Sequence, residues 1–205
     1  MKKVLLSAAA LLVASLSFGQ VKWGIVAGPQ FSSITSKNVI LNNGKETSSI
    51  LTGVRAGFTA DLPLADEFFI GTGLLYSGKG GKSKDTDAKT SLSYLELSIH
   101  FMFKPEVGNG RLVLSAGPYV AYGLSGKIKG SGSDIDVYDD EALVLKQKRF
   151  DAGAGINIGY EMLTGLYFGL NTDMGLVNTA ENTDGDRSFR NTSFGVSVGY
   201  KFGGR

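Results

Sequence analysis

Apolar residues recur at every second position in eight separate stretches of this sequence, and this alternation restricts the fold more than any other feature. In the stretch 52–62, for example, apolar positions alternate with glycine and with Arg55, Thr59 and Asp61. A period of two predicts β-strands that have one apolar face. The eight stretches cover residues 23–31, 52–62, 68–76, 95–103, 112–124, 150–160, 166–176 and 194–202.

The segments that join these stretches alternate between long and short. Each stretch also has about the 9 to 11 tilted residues with which a strand crosses a bilayer. Because an up-and-down barrel with an even number of strands has all its long loops at one rim, we predict an all-β fold, an eight-stranded antiparallel up-and-down transmembrane β-barrel in the bacterial outer membrane. Its long loops should face the cell exterior. The long segments fall at 32–49, 80–91, 126–147 and 178–190, and the short ones at 63–66, 104–109 and 161–164.

Glycine makes up 29 of the 205 residues, without the period of collagen. In the predicted register the strand glycines share a face with charged residues, as Gly53 and Gly57 do with Arg55. An eight-stranded barrel is only just wide enough inside for side chains, so glycine beside large polar residues suits a narrow, filled interior. A soluble lipocalin-type barrel, the competing architecture, would instead turn its apolar face inward around a ligand. The glycine positions favour the membrane barrel.

Residues 1–19 have the layout of a secretory signal peptide, in which Lys2 and Lys3 precede an apolar run and Gly19 ends a small-residue cleavage site. We therefore expect a signal peptide (1–19) and an outer-membrane β-barrel domain (20–205). Loss of the two lysines leaves 19 basic against 19 acidic residues, so the pI of 8.7 predicts no nucleic-acid partner. The absence of cysteine excludes disulfides, thiolate metal sites and a cysteine nucleophile.

Short segments with a recognisable order and spacing run along the chain: GIVAG at 24–28, GTGLLYS at 71–77, SYLEL at 93–97, AGPY at 116–119 and GYKF at 199–202. In these segments the chain resembles the outer-membrane β-barrel domain family of small porin-like barrels that is common in Bacteroidota and includes PorT-like proteins. The resemblance implies an outer-membrane location and supplies no shared catalytic residues. Through its PorT-like members it implies a link to protein secretion.

Charged residues on the glycine-bearing face form a candidate lumen network. Buried charges must be paired or hydrated. Because strands five and six are adjacent and antiparallel, we expect Arg111 to face Glu161, and similar depth brings Arg55 close to Glu96. These pairs favour a salt-bridged plug over an ion or solute path. The predicted network comprises Arg55, Glu96, Arg111, Asp151, Glu161 and Asp173.

The single histidine, His100, shares its predicted face with Ser98 and Glu96, the residue types that acyl transfer needs. Residues two apart on one strand are about 7 Å apart, too far for a direct hydrogen bond between Ser98 and His100. The sequence therefore predicts no catalytic residue, no cofactor and no resident metal.

The third long loop carries an acidic cluster that is a candidate interaction site: Asp134, Asp136, Tyr138, Asp139, Asp140 and Glu141. Calcium sites need six to eight oxygen ligands, but the spacing here lacks the EF-hand glycine and glutamate, so a solvated acidic tip is favoured. The basic residues that follow, Lys146, Lys148 and Arg149, have the charge to bind lipopolysaccharide phosphates.

Taken together, these features predict a monomeric, non-enzymatic protein with a structural, surface-interaction or secretion-associated role. Porin-like passive transport of small solutes is the alternative, and a lipid-modifying enzyme is a more distant one. Expected partners are outer-membrane lipid with lipopolysaccharide, the barrel-assembly machinery during insertion, and a surface or secretion partner of unknown identity. The apolar loop residues that would contact such a partner are Ile40, Leu41, Val137, Tyr138, Leu143 and Val144.

Overall fold

Eight long strands form one closed antiparallel barrel in the computed structural model, which describes residues 21–38, 44–84, 86–130 and 134–202. Each strand pairs with its neighbour in the chain, and β1 also pairs with β8, from Trp23 opposite Phe202 to Lys37 opposite Ser188. The predicted fold class is therefore confirmed. The strands are β1 (Lys22–Lys37), β2 (Leu51–Ala65), β3 (Phe68–Lys82), β4 (Lys89–Phe103), β5 (Gly110–Lys129), β6 (Phe150–Met162), β7 (Leu166–Gly175) and β8 (Ser188–Phe202).

Short strands and a 3-10 helix lie at the two rims of the barrel. Lys45–Thr47 pairs with the end of β1, while Glu106–Val107 and Ile135–Asp136 pair with β5. A 3-10 helix covers Asp140–Leu145. Within the described ranges, no helix has the length and apolar character needed to cross a membrane. The predicted signal peptide and the loop residues Ile40 and Leu41 lie outside the described residues.

Several strands run further toward the long loops than the apolar alternation predicts. β1 continues from Phe31 to Lys37, and β5 continues from Leu124 to Lys129. Each extension has a single apolar residue, Ile34 or Ile128, among polar ones, so it lacks the repeated alternation from which the strand ends were predicted. Hydroxyl groups join some of them, as Thr35 and Thr47 do at an Oγ1–Oγ1 distance of 3.1 Å.

The outer face of the barrel is a band of exposed apolar side chains. Phe58 and Leu170 are 64% and 61% exposed, a fraction that a water-soluble protein would hide. Aromatic rings pair near the strand ends, where Phe31 stacks on Phe194 at 5.2 Å and Phe68 on Phe103 at 5.1 Å. An apolar band between aromatic girdles is the surface that a bilayer requires of a barrel.

On the inner face, glycines lie directly opposite large inward side chains on the adjacent strand. Gly28 is paired with Arg55, and Gly71 with His100. A methyl group at Gly28 would overlap the Val196 carbonyl oxygen on the other side. The missing side chains thus provide the space into which their neighbours extend, as the sequence predicts for a narrow lumen.

We expect Gly28→Ala to lower the free energy of unfolding by about 1–3 kcal/mol, because an added methyl group would press on backbone that cannot move freely. Urea unfolding in lipid vesicles can be followed by the fluorescence of Trp23, the single tryptophan of the chain, which lies on the outer face. Gly44→Ala is the control, since no atom lies within 4 Å of its added methyl group. Equal unfolding midpoints for the two variants would contradict this account of the glycines.

Candidate functional site

A first group of buried charges, the upper ion cluster, crosses the lumen between β2, β3, β4 and β7. The Arg55 guanidinium lies 2.7 Å from an Asp173 oxygen and 3.0 Å from Glu96 Oε1. Lys79 Nζ lies 3.0 Å from the other Glu96 oxygen. All four side chains are buried. The structure thus brings together Arg55, Glu96 and Asp173 of the predicted network and adds Lys79.

Asp151, another member of the predicted network, lies near the upper ion cluster without joining it. Its Oδ2 atom accepts a hydrogen bond of 3.0 Å from Asn191, and no cation of the described residues lies within 4.0 Å of it. Lys79 itself sits over the Tyr119 ring, 4.2 Å from the centroid, and 5.7 Å from that of Tyr94. Aromatic faces thereby complete the surroundings of the buried ammonium group.

A second group, the lower ion cluster, fills the end of the lumen near the short turns. Lys104 Nζ donates to Asp61 at 2.9 Å and to Glu161. Lys201 Nζ reaches the other Asp61 oxygen at 2.8 Å, and Lys22 Nζ reaches the other Glu161 oxygen at 2.8 Å. The three ammonium groups and two carboxylates therefore form one continuous chain across the lumen.

The prediction that Arg111 faces Glu161 is correct for the backbone and wrong for the ion pair. The two residues are opposite each other in the β5–β6 register, but the Arg111 guanidinium pairs with Glu106, at 3.0 Å on the exposed rim. Lys104 takes the place beside Glu161. Sequence reasoning missed Lys104 by assigning it to a turn, although it continues the inward alternation of β4 by one further step.

Among the described residues of the two ion clusters, taken together with Asp151, five cations stand against five carboxylates. Their compensation removes much of the cost of placing ions in a narrow interior, provided that the ion pairs of the two clusters stay intact. The ten residues are Lys22, Arg55, Lys79, Lys104, Lys201, Asp61, Glu96, Asp151, Glu161 and Asp173.

A small cavity lined by both polar and apolar residues lies between the two ion clusters. It has a volume of about 70 Å³ and is lined by members of both clusters, by Ser98 and by His100. Because one water molecule needs about 10–15 Å³ of cavity volume, the cavity has room for about five water molecules. His100 is buried there with no hydrogen-bond partner on Nε2, and Ser98 does not donate to it. The described residues therefore do not assemble a nucleophile with its base.

The loop between β5 and β6 folds into the barrel mouth, where residues 135–147 form what we call the mouth segment. Val137 and Tyr138, predicted as exposed loop residues, are buried against Leu92, Tyr94 and Phe189. Backbone hydrogen bonds anchor the segment, from the Val137 amide to the Gly126 carbonyl at 3.0 Å and from the Gln147 amide to the Val137 carbonyl at 2.8 Å. The lumen is thereby closed by an apolar layer above the upper ion cluster.

The acidic residues of this loop are dispersed. Asp136 accepts from the Tyr138 amide at 2.9 Å, and Asp134 lies 3.9 Å from Lys129. Asp139 is exposed, and Glu141 belongs to the 3-10 helix. In the part of the chain that the structure describes, no three acidic or histidine side chains are grouped so that they could hold a metal ion.

Of the basic residues that follow the acidic cluster, two make local contacts. Lys146 Nζ donates to Asp140 at 2.6 Å, and this hydrogen bond lowers the pKa of the Asp140 carboxyl. The Arg149 guanidinium stacks over the buried Tyr138 ring at 4.2 Å. Lys148 is exposed.

An open cup of about 690 Å³ lies on the extracellular side of the apolar layer. Ile34, Phe189 and Leu145 contribute apolar surface, whereas Ser36 and Glu46 contribute polar groups. The volume falls within the roughly 300–1,000 Å³ that small-molecule sites occupy. We call this space the extracellular cup.

We expect Lys104→Ala to cost about 3–5 kcal/mol of unfolding free energy, because it leaves two buried carboxylates short of their central cation. Arg111→Ala is the matched control, since its ion pair is exposed and is worth less than about 1 kcal/mol. Urea titration in vesicles, followed by Trp23 fluorescence, gives both values. A similar loss for the two variants would show that the lower ion cluster contributes no more than a surface pair.

The fold is shared with solved outer-membrane proteins of very different sequence. OprG from Pseudomonas aeruginosa superposes with a TM-score of 0.53 at 13% sequence identity, over 90% of this chain and 97% of that one. Neisserial surface protein A superposes with a TM-score of 0.50 at 11% identity, over 88% and 97%. No curated protein matches the chain in sequence.

A family model for the outer membrane protein beta-barrel domain matches residues 18–181, which is most of the chain. The match includes β1 to β7 and both ion clusters apart from Lys201. Its description agrees with the closed barrel and apolar outer band, and it locates the protein in the bacterial outer membrane. The chain belongs to the outer membrane protein beta-barrel domain family.

Proposed function

We propose that this protein is a closed, non-conducting and non-enzymatic barrel that acts through its extracellular end. The observation that carries the proposal is the obstruction of the lumen at three successive levels. The lower ion cluster, the upper ion cluster and the apolar layer under the mouth segment all lie across the path from one rim to the other.

Passive transport of small solutes, as in a porin, is the second candidate. The cavity of about 70 Å³ favours it, because charged side chains line a space inside the lumen that has room for water. Conduction would nevertheless require two ion clusters to separate and the mouth segment to leave its place. Separating a buried ion pair leaves uncompensated charges, which costs several kcal/mol.

The non-enzymatic part of the proposal rests on the surroundings of His100. A general base must come within hydrogen-bond reach of its nucleophile. Ser98, the nearest candidate on the same strand, makes no such contact, and ion pairs of the two clusters lie on either side of the cavity around His100. His100 is only 8% exposed, which leaves little of the imidazole for a lipid substrate to contact.

The surface-interaction part of the proposal rests on the extracellular cup. It is of ligand size, opens outward and combines apolar with polar walls, the composition of binding sites in general. The rigid barrel would serve to hold these walls at the cell surface. By the resemblance to PorT-like barrels, the proposal extends to a secretion-associated role in which the bound partner is another component of the envelope.

In planar lipid bilayers we expect no single-channel steps from the folded protein, because the ion clusters and the mouth segment obstruct the lumen. A general porin measured in the same apparatus shows that conduction would be detected. A heat-modifiable shift in gel migration verifies that the inserted protein is folded. Large, stable conductance steps from folded protein would overturn the non-conducting assignment and favour passive transport.

We expect Ser36→Trp, which fills the extracellular cup, to fail to restore wild-type behaviour in a strain that lacks the protein. Thr35→Trp should restore it, because the neighbouring residue points to the outer face of the same strand. Surface exposure and heat-modifiable migration of both variants establish that they fold equally well. Full restoration by Ser36→Trp would contradict a role for the cup.

A further inference from the structure

Three lysines stand side by side on neighbouring strands near the extracellular rim. Lys82 of β3 is paired in register with Lys89 of β4, which is paired in turn with Lys129 of β5. Residues directly opposite each other in an antiparallel sheet have Cα atoms only about 4.5–5.5 Å apart. Like charges in this position repel and destabilise the sheet. We call these three residues the lysine row.

The lysine row points away from the lumen. Along β3, Lys82 has the same strand parity as the outward Tyr76, and along β4, Lys89 has the parity of the outward Leu95. Both lysines are exposed. The lysine row therefore faces the medium outside the barrel wall, at the level of the extracellular rim.

Among the described residues, acidic groups compensate the lysine row at one end. Asp134 lies 3.9 Å from Lys129, and both side chains are about half exposed. In the described ranges no carboxylate lies within 4.0 Å of Lys82 or Lys89, and the exposed Asp87 of the adjoining turn forms no ion pair with them. A fourth outward lysine, Lys127, lies two residues below Lys129 and opposite Asp136. In the described part of the chain, this face keeps an excess of positive charge.

On the membrane side of the lysine row, the same outer face carries two further kinds of surface. First comes a strip of small residues, formed by Gly78 of β3, Ser91 and Ser93 of β4, and Ser125 of β5. Below it begins the apolar band, at Tyr76, Leu95 and Leu124, each more than 40% exposed. The Tyr76 hydroxyl lies 2.8 Å from the Ser93 hydroxyl at this boundary. The face thus offers, from below upward, apolar, small polar and cationic surface.

The height of the lysine row selects the kind of lipid that fits. Six residues separate Tyr76 from Lys82, or about 20 Å along the strand and about 15 Å along the membrane normal at the usual tilt. The headgroup layer of a phospholipid extends only about 5–8 Å beyond the hydrocarbon. A phospholipid phosphate would therefore lie below the row, whereas anions on the sugars of a glycolipid would reach it.

We propose that the outward face of β3, β4 and β5 binds an outer-leaflet glycolipid whose headgroup sugars carry phosphate or carboxylate groups. Its acyl chains lie on the apolar band, its sugars lie against the small-residue strip, and its anions neutralise the lysine row. This site goes beyond the proposed function and does not depend on whether the lumen conducts, although Lys82 also borders the extracellular cup.

The test measures binding of fluorescently labelled lipopolysaccharide to the detergent-solubilised full chain. Replacing Lys82, Lys89 and Lys129 together by Gln should weaken binding about a hundredfold, because each basic residue near an anionic lipid surface usually strengthens binding several-fold. Binding to the wild type should also weaken as salt concentration rises. The control replaces Lys37, Lys45 and Arg190, which are exposed around the first long loop, by Gln; it removes the same charge and should leave the affinity within about threefold.

Two competitors separate the glycolipid from other anions. Phosphatidylglycerol and inorganic phosphate should each fail to displace the labelled lipopolysaccharide at concentrations where unlabelled lipopolysaccharide displaces it fully. The proposal is overturned if the lysine-row variant binds as the wild type does, if the loop control loses as much affinity, or if either competitor displaces the label. Heat-modifiable migration of each variant verifies its fold.

Discussion

The width of an eight-stranded barrel is the constraint on which the rest of this structure depends. Once β1 meets β8, the inner face must fit into a space barely wider than its side chains, with little room for water. Large polar residues can extend there only where the opposite residue is small, as Gly28 is beside Arg55. Their charges are neutralised only by one another. The glycine pattern and the ion clusters are two results of one geometric limit.

The sequence alone supports the number of strands, their antiparallel order and the side on which each residue lies, because all three follow from local periodicity. It does not determine which cation reaches which carboxylate. Arg111 and Glu161 are opposite in register, yet Glu161 lies next to Lys104, which reaches it from beyond the end of β4. A choice of that kind depends on side-chain length and on turn geometry, and a strand pattern contains neither.

The mouth segment illustrates a second limit of sequence reasoning. A polar, acidic composition predicts solvent exposure, and Asp139 follows that rule. Val137 and Tyr138 do not, because Gly123 and Gly126 of β5 leave space in the barrel wall that these two side chains occupy. The signal was present as two inward glycines near the long loop, but its meaning depends on contacts that form only in the closed barrel. The exposed polar and charged side chains of the protein therefore lie at the rim and on the outer wall of the barrel.

The ion clusters join parts of the chain that are far apart in sequence. Arg55 and Asp173 are separated by 118 residues, Asp61 and Lys201 by 140, and Lys22 and Glu161 by 139. An additional hairpin at any point in the sheet would widen the ring and draw these partners out of reach of one another. Buried charges would then remain without counterions. The same pairs that fill the lumen therefore fix the circumference of the barrel, so that descendants of this sequence can vary their loops freely but cannot change their strand number without first rebuilding the interior.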